Sequence, residues 1–178
     1  RPQRGRQRQF HQIGLEIFGA DSILAETELM VIFSRLWSNL GISDITLQIN
    51  SLGNQEDRQT YIKVLTDFFS NHSSKLSEHN LQKLRFNPLR ILDSKDPEIK
   101  KLLSDAPTLS DFISNEAKDR FTAFKNLLSI IGIDFKENNK LVRGLDYYSD
   151  IVFEWTTESL GAQNAVCAGG RYDNLIGQ

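Results

Sequence analysis

Three stretches of this chain hold residue types that could do chemistry together. The first runs Arg1-Pro2-Gln3-Arg4-Gly5-Arg6-Gln7-Arg8-Gln9-Phe10 and continues through Gln12, Gly14 and Glu16. An arginine-rich loop opening onto an aromatic side chain can clamp a triphosphate while the ring stacks on a base. Fork-shaped donors fit phosphate oxygens, and every base offers a π-face. The same arginines would also suit a tail that holds anionic partners loosely. The second stretch, Leu141-Val142-Arg143-Gly144-Leu145-Asp146-Tyr147-Tyr148, sets an arginine beside a glycine, so that a ligand can approach backbone and guanidinium together. Its plainer alternative is an arginine–aspartate surface pair beside two half-buried tyrosines. The third, Ala168-Gly169-Gly170-Arg171-Tyr172-Asp173, places paired glycines that either make a tight turn or leave room for Tyr172 to lean over a small molecule. His11, His72 and His79 have no cysteine or histidine partners at metal-ligand spacing, which argues against a zinc site.

These side chains need elements to position them. Phe10 to Phe18 alternates with period two, which predicts a strand. His11, Ile13, Leu15 and Ile17 would then face the core, and Phe10, Gln12, Gly14, Glu16 and Phe18 would share the opposite face. That face combines an aromatic ring, an amide and a carboxylate over a low glycine floor. A helix capped by Asp21 or Ser22 follows, with the stripe Leu29, Ile32, Phe33, Leu36 and Leu40, closed by Gly41. Ile45, Leu47 and Ile49 predict a second strand.

Strand signals vanish from Asn54 to Ile131, where helical stripes succeed one another. These are Tyr61, Leu65, Phe68 and Phe69, then Ile99, Leu102 and Leu103 behind Asp96-Pro97, then Phe121, Phe124, Leu127, Leu128 and Ile131. Ile131-Gly132-Ile133 repeats the pattern of Leu40-Gly41-Ile42. Strands are expected again at 133–136, 147–156 and 164–168, with Tyr147 and Tyr148 pointing to opposite faces of theirs. The fold class is therefore α+β: an antiparallel sheet with flanking helices, interrupted by an all-helical insertion. The expected division is 1–53, 54–131 and 132–178.

Bulk properties fit such an architecture. The 178 residues are 39% hydrophobic and 25% charged, with a net charge of −2, so a uniformly basic nucleic-acid coat is excluded. Residues 54–131 hold 12 basic and 11 acidic side chains, a net of +1, which does not mark them as a nucleic-acid binder. Cys167, the single cysteine, forbids an intrachain disulfide and suits a small buried apolar position in a reducing, cytoplasmic setting. No apolar run approaches the roughly 18 residues that span a bilayer, and no secretory signal is visible, so no membrane partner is expected.

Taken together, these motifs resemble class II histidyl-tRNA synthetases of the bacterial type. Arg1 to Gly19 resembles the loop and second strand of their motif 2, and Leu141 to Tyr148 looks like their histidine-specific signature. Val166 to Asp173 looks like a further segment ending Gly-Gly-Arg-Tyr-Asp. Asn50-Ser51-Leu52-Gly53 and Pro88-Leu89-Arg90-Ile91-Leu92-Asp93-Ser94-Lys95 are similar too, and the likeness spans the whole chain in the family's order.

The resemblance implies activation of histidine by ATP, with Mg2+ accompanying the nucleotide, and transfer to tRNA(His) by a cytoplasmic homodimer. It implies that Phe10 stacks on adenine, Arg6 holds the triphosphate tail and Gln12 binds the α-amino group. Glu16 and Tyr148 would hydrogen-bond the imidazole, and Tyr147 and Tyr172 would complete the pocket. Arg143 would sit on the histidine carboxylate and the α-phosphate, stabilising the charge that develops there. Motif 1, the motif 2 arginine, motif 3 and the anticodon-binding domain have no counterpart here, so an internal piece without activity of its own is expected. Two other functions use a similar fold: a regulatory subunit of ATP phosphoribosyltransferase, and a module that senses uncharged tRNA. The arginine-rich loop and long insertion speak against the first, and retention of Glu16, Arg143, Tyr147 and Tyr148 against the second.

Overall fold

A computed structural model describes residues 8–92, 94, 96–142, 147–160 and 164–176. In chain order the elements are α1 (Ile23–Asn39), β1 (Thr46–Ser51), α2 (Gln55–Ser70), α3 (Glu78–Phe86), α4 (Pro97–Leu102), α5 (Asn115–Ile130), β2 (Phe135–Glu137), β3 (Ser149–Thr156), β4 (Ala165–Arg171) and the short α6 (Asp173–Ile176). The strands form one sheet in the order β2-β1-β3-β4. β1 runs antiparallel to β3, and β3 to β4, whereas three-residue β2 pairs parallel with β1.

Local chemistry sets the helix ends. The Ser22 hydroxyl caps α1 by accepting from the Leu24 N–H at 3.3 Å. Gly41, at φ 69°, ends it, with Ile42 N–H reaching back to Trp37 O at 2.9 Å. The matching junction after α5 is the same motif: Gly132 has φ 74°, and Ile133 N–H reaches Leu128 O at 2.9 Å. Glycine is required at both because a Cβ makes the left-handed conformation costly. Asp96 caps α4, with Pro97 in the first turn as expected.

Two apolar clusters lie about the sheet. α1 and α5 lie side by side, and Met30, Trp37, Phe124 and Leu128 pack with Leu47, Ile49, Ile151, Phe153 and Trp155. Val152, one step along β3, belongs instead to the second cluster, with Leu52 and Leu141. The same cluster gathers Tyr61, Leu65 and Phe69 of α2, Leu84 of α3, and Ile99 and Leu102 of α4. Along α1, Ile32 and Leu40 of the expected stripe are 41% and 61% exposed, and the fully packed row is Met30 and Trp37, with Phe33 between them. The register shifts because the Trp37 and Phe33 rings, 6.1 Å apart, stack along the helix and continue to Trp155 at 6.3 Å.

The expected strand over Phe10 to Phe18 does not form. These residues have no ladder partner among the described residues, and both alternating rows are exposed, with Phe10 at 69%, Ile13 at 82% and Phe18 at 68%. An alternating sequence becomes a strand only when a neighbour takes up its N–H and C=O groups. Here the segment instead shares a cleft with β4 and α1.

Candidate functional site

That cleft, about 1440 Å³ in volume, is lined by residues 10–21, one side of α1, and β4 with the residues just after it. Phe10, Gln12, Glu16, Tyr147, Tyr148 and Tyr172 all border it. Six side chains singled out from three distant motifs thus meet at one place. The other two, Arg6 and Arg143, lie outside the described residues.

Contacts within the group are direct. The Tyr172 hydroxyl donates to Glu16 Oε2, which joins the first motif to the third. This hydrogen bond to a carboxylate pushes the Tyr172 phenol up to about 12, because ionisation would end the donation and set two anions together. The Tyr147 ring lies 6.2 Å from Tyr172 and edge-on to it, and 4.8 Å from Tyr148. The tyrosines were expected on opposite faces of a strand. They are instead ring neighbours, because β3 begins only at Ser149 and strand alternation does not apply to them.

The paired glycines also differ from expectation. Gly169 and Gly170 lie inside β4, not in a turn after it. A Cβ at Gly170 would stand 2.8 Å from Ile151 O and 3.0 Å from Tyr148 Cδ1, and one at Gly169 would stand 3.0 Å from the Phe153 ring. Their smallness therefore seats Tyr148 and Phe153 against the sheet. Gly14 shows no such crowding, since a Cβ there would meet nothing within 4 Å. Cys167, expected to be buried, is half-buried and lines the cleft.

Several charged residues lining the site or supporting it from behind were not apparent from sequence. Glu26 Oε1 accepts from Arg120 Nη2 at 2.9 Å and from Arg171 Nη1 at 3.1 Å. Arg120 also pairs through Nε with Asp150 Oδ2 at 2.6 Å. Asp150 sits at φ 51° in an irregular stretch of β3, where the pairing jumps from Ser149 to Val152. Such a bulge re-aims a side chain, and aspartate tolerates that conformation better than most residues. Burial first, and Glu26 in addition, raise the Asp150 carboxyl above its ordinary range, while Arg120 and Arg171 pull it down. From α2, the Arg58 guanidinium donates to the Tyr148 carbonyl. These partners lie far apart in sequence, so no local spacing announces them.

The comparisons with known proteins agree with one another. The family model described as histidyl-tRNA synthetase matches residues 1–178. The chain is 51% identical over 176 residues to a histidine–tRNA ligase of Vesicomyosocius okutanii, covering 99% of this chain and 42% of that protein. It is 49% identical over 178 residues to one of Hydrogenovibrio crunogenus, again covering 42% of its length. The chain therefore spans less than half of these relatives.

Among solved structures, apo histidyl-tRNA synthetase of S. aureus superposes with a TM-score of 0.68 at 28% identity, over 89% of this chain and 38% of that one. A Bacillus halodurans protein described as an ATP phosphoribosyltransferase regulatory subunit/histidyl-tRNA synthetase shares the fold, with a TM-score of 0.53 at 22% identity, over 89% of this chain and 45% of that one. With a family match over the full chain and close relatives of the same name, this chain belongs to the histidyl-tRNA synthetase family.

Proposed function

We propose that the cleft between residues 10–21 and β4 is the histidine and ATP site of a histidine–tRNA ligase of which this chain is a part. The observation that carries this reading is the meeting of Glu16, Tyr172, Tyr147 and Tyr148 around one cleft that also holds Gln12 and Phe10. A carboxylate backed by a tyrosine hydroxyl is a ready acceptor for an imidazole N–H. Gln12 is assigned the α-amino group and Phe10 the adenine ring. Arg6 and Arg143 are assigned the triphosphate tail and the α-phosphate from their positions in the family's motifs.

In the proposed reaction a carboxylate oxygen of histidine bonds to the α-phosphorus and pyrophosphate leaves. The tRNA 3′-terminal hydroxyl then displaces AMP from the carbonyl. Arg143 would act by stabilising the charge that develops on phosphorus, not by moving a proton. Mg2+ is proposed to arrive on the ATP phosphates; among the described residues no group of three or more His, Cys, Asp or Glu side chains could hold an ion by itself. The intact protein is proposed to be a cytoplasmic homodimer acting on tRNA(His), with residues 54–131 as its helical insertion. No helix among the described residues is long and apolar enough to cross a membrane.

Histidine-dependent pyrophosphate exchange in the full-length protein tests the assignment. Glu16→Ala should reduce kcat/KM for histidine more than Glu16→Gln does, with ATP affinity nearly unchanged. A site built to hydrogen-bond a substrate group discriminates by roughly 10⁴ when that pairing is lost. Wild-type kinetics in both variants would remove Glu16 from the site.

A further inference from the structure

We infer that Arg120 and Arg171, joined through the shared carboxylate of Glu26, form a positioning bridge that sets where Glu16 meets Tyr172. The inference rests on the cleft being the histidine site. It begins from how residues 10–20 are held. They form no ladder among the described residues, so side-chain attachments decide where they lie. One attachment is Tyr172 to Glu16. The others grip Asp21, where the segment enters α1: its carboxylate pairs with Arg171 Nη2 at 2.8 Å, and its carbonyl accepts from Arg120 Nη1 at 2.9 Å.

Each guanidinium uses all three of its nitrogens. Arg171 reaches Asp173, Glu26 and Asp21 through Nε, Nη1 and Nη2. Arg120 hydrogen-bonds Glu26 through Nη2 and the Asp21 carbonyl through Nη1, and its Nε forms an ion pair with Asp150. Glu26 lies in the first turn of α1 and its side chain is 12% exposed, against 14% for Arg171 and 22% for Arg120. The Glu26 pairs are sheltered enough to keep their geometry far better than surface pairs, which solvent and salt weaken. The Asp21 carboxylate is 96% exposed, so the Arg171–Asp21 pair is the weaker end of the bridge. The bridge thus fixes α1, α5, the irregular start of β3 and the end of β4 to one another. Tyr172 is the next residue along from Arg171. Arg120 does not line the cleft, so it can influence a bound substrate only through these partners. Moving Arg171 would move Tyr172 directly, and releasing Asp21 would move Glu16 with its segment.

The test uses the full-length protein. Arg120→Gln should raise the KM for histidine on the order of tenfold or more, as small misplacements in a site do, and leave the KM for ATP within about twofold. In a Tyr172→Phe background the same change should add clearly less than it does alone, since contacts acting in one chain are not additive. Arg120→Lys, which keeps the charge and loses the fork, should recover only part of the loss. Glu26→Gln keeps the size of its residue and should reproduce the histidine effect if Arg120→Gln folds poorly.

A second readout does not depend on substrate. With carbon-labelled tyrosine, the Tyr172 ring, assigned by its loss in Tyr172→Phe, should titrate earlier in Arg120→Gln or Glu26→Gln than in the parent. Unchanged Tyr172 titration in both variants, or effects that multiply with Tyr172→Phe, would overturn the bridge. If instead Tyr172→Phe leaves the histidine KM unchanged while the titration still moves, the bridge stands and the assignment of the cleft falls.

Discussion

The Tyr172 hydroxyl donates to the Glu16 carboxylate although the two residues stand 156 positions apart in the chain. The contact makes a measurable difference to the phenol. A neighbouring carboxylate holds Tyr172 in its neutral form, up to about 12 against an ordinary 10.0. Tyr61 also ionises late, at about 12, but for another reason: its ring is buried in the helical cluster. Glu16→Gln should therefore return Tyr172 toward its ordinary value and leave Tyr61 where it is. A tyrosinate titration followed residue by residue checks this, and an unmoved Tyr172 would mean that the two side chains do not meet in solution.

Asp150 gives a prediction for stability against pH. Its carboxyl is raised above the ordinary 3.8, first by burial and then by Glu26, with Arg120 and Arg171 opposing. Below the ordinary value both the folded and the unfolded chain hold the proton. As pH rises from there, the unfolded chain releases it first, and the folded chain must still lose it or keep it at a cost. This group thus subtracts stability with rising pH until the folded-state value has been passed. Asp150→Asn removes the titration and suits the positive φ. Urea unfolding at a series of pH values should show the wild type losing ground to the variant as pH climbs from about 4 through the raised value. A difference independent of pH would contradict the shift.

The glycines of β4 predict an order of severity. An alanine methyl at Gly170 would meet the Ile151 carbonyl oxygen and Val152 Cγ1 at 2.8 Å, and backbone cannot swing aside. At Gly169 the obstacle is the Phe153 ring at 3.0 Å, which can tilt. Gly170→Ala should therefore cost about 1–3 kcal/mol, in the range of overpacked cores, and Gly169→Ala less. Denaturant midpoints order the two, and equal costs would show that the Ile151 carbonyl yields as easily as the ring. Because Tyr148 Cδ1 also stands 3.0 Å from the Gly170 Cβ position, only the Gly170 variant should displace a tyrosine of the cleft as well.

Some of this was legible in the sequence because its causes are local. Leu40-Gly41-Ile42 and Ile131-Gly132-Ile133 announce the same helix ending, and Asp96-Pro97 announces a helix start, since cap chemistry is complete within a few residues. Leu47 and Ile49 alternate and are fully buried. The misplacements have long-range causes. Phe10 to Phe18 carries a strand's alternation but finds no partner among the described residues. Tyr147 and Tyr148 lie just before β3, which starts at Ser149, two residues later than the alternation suggests. Arg120 and Glu26 look like ordinary surface residues of two helices, and only the packing of α5 against α1 brings them together, 94 positions apart. Shared motifs pointed to the cleft's lining, whereas its support comes from contacts that no spacing encodes.

That same packing of α5 yields the last prediction, about where the helical run 54–131 can be cut. Residues 54–131 form one helical run in sequence, yet α5 contributes Phe124 and Leu128, both fully buried, to the cluster shared by α1 and the sheet. It also carries Arg120. α2, α3 and α4 instead gather around Tyr61, Leu65, Phe69 and Ile99. The chain leaves the sheet and returns at nearly one point: a Cβ on Gly53 would lie 2.8 Å from Ile113 Cγ2, and Ser114 N–H donates to Asp57 at 3.1 Å. In the full-length protein, deleting 54–113 and joining Gly53 to Ser114 through a short glycine–serine linker should leave a cooperatively unfolding core, weakened by the exposure of Leu52, Leu141 and Val152. Deleting 54–131 removes two large buried side chains, each of which alone is worth roughly 2–5 kcal/mol on truncation, together with the Arg120 contacts, and should abolish cooperative unfolding. Circular dichroism during urea titration separates the two deletions. If both unfold cooperatively with similar midpoints, α5 is not part of the sheet's core. If neither does, α2 to α4 are needed for the sheet to fold at all.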